Sequence, residues 1–145
     1  MRRMLLPLLA LVTACSSTAN DRPKDVPRPD IVVRQAGMIF FGSSSSAPVS
    51  IDVHIRNNAN VPLRLREIEL RSMGMTQYEL LPHRKTFAET IGPGQSRTFG
   101  LAATAITNTS RPQSEPLSMQ VNLRFEVNGR GFREVVLERM AGMGM

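Results

Sequence analysis

The sequence predicts an all-β protein, an antiparallel immunoglobulin-like β-sandwich of seven to eight strands. Two stretches of strict apolar–polar alternation, residues 49–56 and 117–127, give the clearest indication, because successive side chains of a strand point to opposite faces. Turn-forming residues recur at short intervals, and no segment carries a useful helical stripe of apolar residues. Many short strands with one long polar connection, residues 107–116, are typical of a sandwich.

The individual strands follow from apolar runs that lie between turn residues. In the segment VSIDVHIRN, Val49, Ile51, Val53 and Ile55 share one face and polar residues occupy the other. The segment LSMQVNLRFEV repeats this pattern. Shorter strands are predicted over residues 31–34, 38–41, 77–81 and 97–103.

The segment PLRLREIELRS contains a change in the parity of its apolar residues. Leu63 and Leu65 share one face, whereas Ile68 would point to the opposite one. A β-bulge in which Arg66 and Glu67 together occupy one outward step restores a single buried face. The alternative is a strand that crosses between the two sheets.

A β-hairpin is predicted at the Asn-Gly pair 128–129, because both central residues of a type I′ turn need positive φ. The simple two-residue register sets Leu123 opposite Glu134, an apolar side chain against a carboxylate. A bulge at Gly131 would instead pair Leu123 with Val135. We therefore predict the bulged hairpin.

The first residues have the pattern of a secretory signal. Arg2 and Arg3 precede an apolar run, residues 4–12, which ends in small residues. As a helix this run would reach only about 13 Å, against roughly 30 Å of membrane hydrocarbon. It is too short to span a bilayer.

The four residues Val12-Thr13-Ala14-Cys15 resemble the lipobox of bacterial lipoproteins. This resemblance implies a diacylglyceryl group on the Cys15 sulfur, removal of residues 1–14 and acylation of the new amine, so that the membrane is the first partner of the chain. Ser16 stands where an aspartate tends to retain such proteins at the inner membrane, which implies the outer membrane and a periplasmic orientation. The alternative is an ordinary signal cut elsewhere, with Cys15 a spare thiol.

Three further regions follow the signal. Residues 15–30 comprise the lipidated cysteine and a polar, proline-containing tether that extended chain could stretch to roughly 45 Å. Residues 31–140 form the sandwich domain, and residues 141–145 a flexible methionine–glycine tail.

The domain also shows a family resemblance. The segments VSIDVHIRNNANVPLRLREIEL and IGPGQSRTFGL are similar to the strand, asparagine-rich turn, Pro-Leu strand and proline–glycine turn of the water-stress and late-embryogenesis-abundant type 2 domains. About fifty residues carry the likeness. It implies an immunoglobulin-like sandwich and no catalytic residues.

The chain is basic, with a formal net charge of +6, but its charges are mixed in sign. Arginines and glutamates alternate with apolar residues along predicted strands, and no series of aromatic residues alternates with the arginines. A solvated sheet face explains this pattern better than a nucleic-acid surface, so no nucleic acid is expected as a partner. The residues concerned are Arg64, Arg66, Arg124, Arg133, Arg139, Glu67, Glu69, Glu126, Glu134 and Glu138.

Reactive side chains do not cluster along the sequence, and we expect no enzyme. The run GSSSS lacks the glycine pattern of a nucleophile elbow, and GPGQS lacks the lysine of a phosphate loop. The function predicted is that of a lipid-anchored, non-catalytic envelope protein, an interaction or assembly module. A protein partner could add a strand to an exposed sheet edge, a mode that leaves no motif.

The alternative function is Cu(I) binding in the periplasm, with no other cofactor expected. Nine methionines are present, several beside glycines, and thioethers favour Cu(I) because both are soft. A frayed terminus explains the glycine–methionine tail better than a metal site does. The candidate ligands are Met140, Met143, Met145, Met73, Met75 and His83.

Overall fold

The computed structural model describes residues 22–37, 39–41, 44–73, 78–107 and 117–140. These residues form eight strands in two four-stranded antiparallel sheets, with no helix among them. The predicted all-β sandwich is confirmed. The described residues include no helix that could cross a membrane.

The strands follow one another closely along the chain, and six of the eight have nine to twelve residues. In chain order they are β1 (Asp30–Gln35), β2 (Ser46–Arg56), β3 (Leu63–Ser72), β4 (Tyr78–Leu80), β5 (His83–Ile91), β6 (Ser96–Thr107), β7 (Leu117–Val127) and β8 (Arg130–Met140). One sheet has the order β1-β2-β6-β4 and the other β5-β3-β7-β8. Strands β1 and β8 are therefore edge strands of different sheets.

The core lies between the sheets and is built from the inward residues that the alternation predicts. Val53 and Ile55 of β2 are fully buried, as are Leu65 of β3 and Leu123 of β7. They belong to one continuous apolar cluster. Burial of each such side chain contributes about 1.5–3 kcal/mol, which is what holds a domain that has no disulfide within its described residues.

The β-bulge predicted in β3 is confirmed. Leu65 pairs with Phe125 and Glu67 with Arg124, so Arg66 is an extra residue relative to β7. The bulge keeps the apolar side chains on both sides of it in the core, because Leu65 and Ile68 are both fully buried.

The register predicted for the β7–β8 hairpin is wrong. Asn128 and Gly129 have φ angles of 49° and 74°, as the predicted turn requires. However, there is no bulge at Gly131, and Leu123 pairs directly with Glu134. The Glu134 side chain is fully buried, and its charge is matched by arginines from a distant part of the chain, as described below.

Two further elements differ from the sequence prediction. Strand β5 was not predicted, because most of its side chains are exposed on both faces and it lacks alternation. The predicted strand 38–41 is absent from its described residues, 39–41, although Ile39 and Phe41 are buried there. Burial of apolar residues in an irregular loop produced the misleading signal.

Candidate functional site

The two edge strands β1 and β8 approach one another on one side of the sandwich, and we call this line of contact the β1–β8 seam. Residues 22–29, which precede β1, lie against it, and we call them the N-terminal segment. Val26 is only 5% exposed and belongs to the core cluster. Asn58 donates a hydrogen bond to the Arg28 carbonyl at 3.0 Å. The predicted tether is therefore wrong for residues 22–30, which pack on the domain, while the rest of it lies outside the described residues.

A buried ion cluster attaches the N-terminal segment to β8. Arg22 Nη1 donates to Glu134 Oε1 at 2.8 Å, and Arg28 Nε donates to Glu134 Oε2 at 3.0 Å. The Glu134 side chain is 0% exposed, whereas those of Arg22 and Arg28 are 30% and 58% exposed. A buried carboxylate without a partner would cost several kcal/mol, so the two guanidinium groups make its burial tolerable. We call these three residues the Glu134 cluster.

The seam continues beyond the Glu134 cluster as an open groove. Two large apolar side chains are exposed there, Val32 at 42% and Leu137 at 63%. Exposed apolar side chains that are contiguous mark candidate binding surfaces. The groove is lined by Arg28, Pro29, Asp30, Ile31, Val32, Val135, Val136 and Leu137.

The backbone of β8 is unpaired along its outer edge. In the hairpin, Val127 and Arg130 flank a two-residue turn and form a hydrogen-bonded pair, so the even-numbered residues of β8 bond to β7. The bond from Met73 N to Ser118 O agrees, because it shows that even-numbered residues of β7 bond to β3. The N–H and C=O groups of Val135 and Leu137 consequently point away from β7, where the described residues supply no neighbouring strand.

A second charged cluster, centred on Glu69 of β3, lies on the outer face of the sheet that also contains β8. Arg71 and Arg84 donate to Glu69 Oε1 at 2.6 and 3.1 Å, and Asn122 donates to Oε2 at 3.1 Å. Burial of the carboxylate acts to raise its pKa, but the hydrogen bonds from these three residues outweigh burial and lower the pKa from 4.5 to about 2. Glu69 therefore stays ionised at neutral pH.

The predicted solvated face of arginines and glutamates is confirmed in part. Arg66 pairs with Glu126 at 2.5 Å, and both side chains are partly exposed. Glu69 is largely covered, however, and Glu134 points inward. The prediction that Glu134 lies on the solvated face is wrong, because the true hairpin register differs from the predicted one.

The structure also locates some of the predicted metal ligands. Met140 is the last residue of β8 and is 3% exposed, so it is a core residue rather than part of an exposed tail. Met73 directly follows β3 and is 39% exposed. His83 is the first residue of β5, and it pairs with Leu70 of β3. In the described residues no group of three histidine, cysteine or acidic side chains is placed to hold a metal. Met75, Met143, Met145 and Cys15 lie outside the described residues.

The Glu134 cluster is the feature that sequence reasoning missed. Its one signal in the sequence was the apparent mismatch between Leu123 and Glu134, which the predicted bulge at Gly131 would remove. The partners of Glu134 are 112 and 106 residues away in sequence. Only the fold brings them together.

Comparison with known proteins gives the fold and no family. No family profile matches the chain, and no curated protein matches its sequence. The chain is similar to the X-ray structure of Northeast Structural Genomics Consortium target SoR45, with a TM-score of 0.57 and 12% identity over 81% of this chain and 88% of the other. A protein from Archaeoglobus fulgidus aligns with a TM-score of 0.49 and 10% identity over 80% and 96% of the two chains. At such identities the first likeness shows a shared fold alone.

Proposed function

We propose that this chain is a lipid-anchored, non-catalytic protein of the cell envelope, attached to the outer membrane and facing the periplasm, whose domain is an interaction or assembly module. The observation that carries the proposal is the β1–β8 seam. The N-terminal segment, which follows the lipobox-like residues, packs on one end of the seam, and the other end presents an open strand edge with exposed apolar side chains.

A non-catalytic role is supported by the way in which the described acidic residues are held. The two most buried carboxylates, Glu69 and Glu134, each bind two arginines. Arginine remains charged at all physiological pH values and favours the ionised form of a neighbouring carboxylate. Glu69, whose pKa is lowered to about 2, therefore suits structural pairing better than proton transfer, which requires a pKa near the working pH.

The anchor is tested by changing Cys15→Ala and labelling growing cells with a radioactive fatty acid. We expect loss of the label and loss of the mature, membrane-bound protein, because the thioether that carries the diacylglyceryl group can no longer form. Ser16→Asp is the matched control, and we expect it to keep the label but move the protein to the inner membrane. Wild-type protein that is mature, soluble and unlabelled would contradict the anchor.

The interaction role is tested by crosslinking intact cells and purifying the wild-type chain from the membrane fraction. We expect a discrete crosslinked species that contains a second envelope protein. Recovery of the chain only as a free monomer, at crosslinker concentrations that capture a known envelope complex in the same cells, would contradict the proposal.

A further inference from the structure

The outward side chains of β8 form a row with a distinct chemical pattern. Along the strand they are Arg133, Val135, Leu137 and Arg139, an apolar pair with an arginine on each side. Leu137 is 63% exposed and Arg139 is exposed, while Arg133 and Val135 are half-buried. The backbone N–H and C=O groups of these same residues point to the open edge. One extended ligand could therefore contact the outward side chains and also bond to the unpaired backbone groups.

The two arginines of this row differ from three other arginines of the same sheet. Arg66, Arg84 and Arg124 each lie within 4 Å of a glutamate. For Arg133 and Arg139, the described part of the chain contains no ion pair. Unpaired positive charges that flank an apolar pair on an open edge are complementary to an acidic ligand.

We propose that β8 binds an extended peptide segment by strand addition, and that this segment carries two apolar residues flanked by two acidic residues at alternate positions. The apolar side chains lie opposite Val135 and Leu137, and the acidic ones opposite Arg133 and Arg139. Main-chain hydrogen bonds to the edge give affinity, and the alternate side chains give selectivity. This inference rests on the proposed interaction role and names the chemistry of its partner.

A second copy of the chain fits this edge less well. If two β8 strands paired antiparallel so that Val135 met Leu137, the same register would set Arg133 against Arg139. Like charges directly opposite one another destabilise a strand pair. The charge pattern therefore favours a different, acidic partner strand.

The test uses the full chain in detergent and a fluorescent peptide of sequence Glu-Thr-Val-Thr-Leu-Thr-Glu, with blocked ends, measured by anisotropy at low salt. A peptide with lysines in place of both glutamates is the matched control ligand. We expect the acidic peptide to bind about tenfold more tightly than the basic one, because two attractive cross-strand pairs become repulsive. For the Arg139→Glu variant we expect this preference to shrink several-fold, while Arg56→Glu, an equal charge change on the outer face of the other sheet, leaves it unchanged.

The backbone contribution is tested with Leu137→Pro. Proline removes an N–H that β7 does not use, so we expect the domain to keep its thermal unfolding midpoint within a few degrees but to lose at least tenfold in peptide affinity. Leu137→Thr keeps the N–H and should lose less. If Leu137→Pro fails to fold, the Arg139→Glu comparison still decides.

Three results would overturn the inference. One is no binding of the acidic peptide by the wild-type chain, and another is equal binding of the acidic and basic peptides. The third is a dimer, measured by sedimentation, that Leu137→Pro dissociates, since a second copy would then occupy the edge. If crosslinking in cells captured a protein partner alongside any of these results, the proposed interaction role would still be supported. Only the proposal that the ligand is an acidic strand bound to β8 would be refuted.

Discussion

The Glu134 cluster allows a sharp prediction, because its two sides differ in burial. Changing Arg22→Met together with Arg28→Met leaves the fully buried Glu134 carboxylate without either partner. Changing Glu134→Leu leaves two arginines that are already 30% and 58% exposed and can return to water. The two variants remove the same ion pairs but should have different effects on the free energy of unfolding.

The magnitudes follow from this asymmetry. Breaking a buried pair by removing one side costs about 3–5 kcal/mol, since an uncompensated charge stays buried. Replacing a buried ionic group by an apolar one of similar size is often neutral or stabilising. Leucine at this position would face Leu123 across the hairpin, an apolar neighbour. We therefore expect the double arginine variant to lose about 3 kcal/mol and Glu134→Leu to change stability by less than about 1 kcal/mol.

The assay is urea unfolding of the wild-type chain and both variants, followed by limited trypsin digestion under native conditions. Within the N-terminal segment both arginines precede proline, which blocks trypsin, so cleavage after the exposed Lys24 reports release of this segment. We expect faster cleavage at Lys24 in both variants, because both lose the attachment to β8. Only the double arginine variant should also lose global stability.

The reasoning would be refuted if Glu134→Leu were destabilised more than the double arginine variant. That order would mean that the ion pairs themselves, rather than the need to compensate a buried charge, stabilise the fold. Unchanged cleavage at Lys24 in both variants would show that the remaining contacts are enough to hold the N-terminal segment. These are the burial of Val26, the hydrogen bond from Asn58 to the Arg28 carbonyl and the ion pair between Arg130 and Asp25.

Two further predictions concern Glu69 and Met140. Because the pKa of Glu69 is lowered from 4.5 to about 2, its ionised form stabilises the fold above pH 4.5, and this contribution is lost as the pH falls toward 2. Glu69→Gln should lower the free energy of unfolding by about 3 kcal/mol at pH 7 and by less than half of that at pH 3. The control Glu126→Gln removes a carboxylate from a more exposed pair and should cost no more than about 1 kcal/mol. An equal Glu69→Gln penalty at both pH values would contradict this prediction. Met140→Ala should cost about 2–5 kcal/mol in urea unfolding because Met140 is a core residue, while Met73→Ala should change stability by less than about 0.5 kcal/mol. If Met140→Ala instead kept full stability and weakened Cu(I) binding in a competition with a chelator, Met140 would be a ligand and its core assignment would be wrong.

The parts of the fold that could be predicted from the sequence are those set by local alternation. Strand β2 and the bulge in β3 follow from which neighbouring side chains must share a face, and a single wrong step would expose several apolar residues. Strand β5 could not be predicted in this way, because an edge strand with two exposed faces imposes no alternation.

The candidate site could not be predicted, because it depends on contacts between distant residues. Glu134 looks misplaced opposite Leu123 until Arg22 and Arg28 are brought to it from more than a hundred residues away. The N-terminal segment looked like a tether since Val26 is the only residue in it, apart from prolines, that is apolar. One buried valine, three ion pairs and a hydrogen bond from Asn58 attach it to the domain.

The attached N-terminal segment has a consequence for how far the domain can stand from a membrane. Under the proposed anchoring, the residues between Cys15 and Arg22 reach at most about 25 Å even when fully extended. Release of residues 22–29 from Glu134 would roughly double that distance. The Glu134 cluster would thus limit the distance between the β8 edge and the lipid. Only partners in the layer next to the membrane could then reach this edge, and the short linker would give them a high local concentration there.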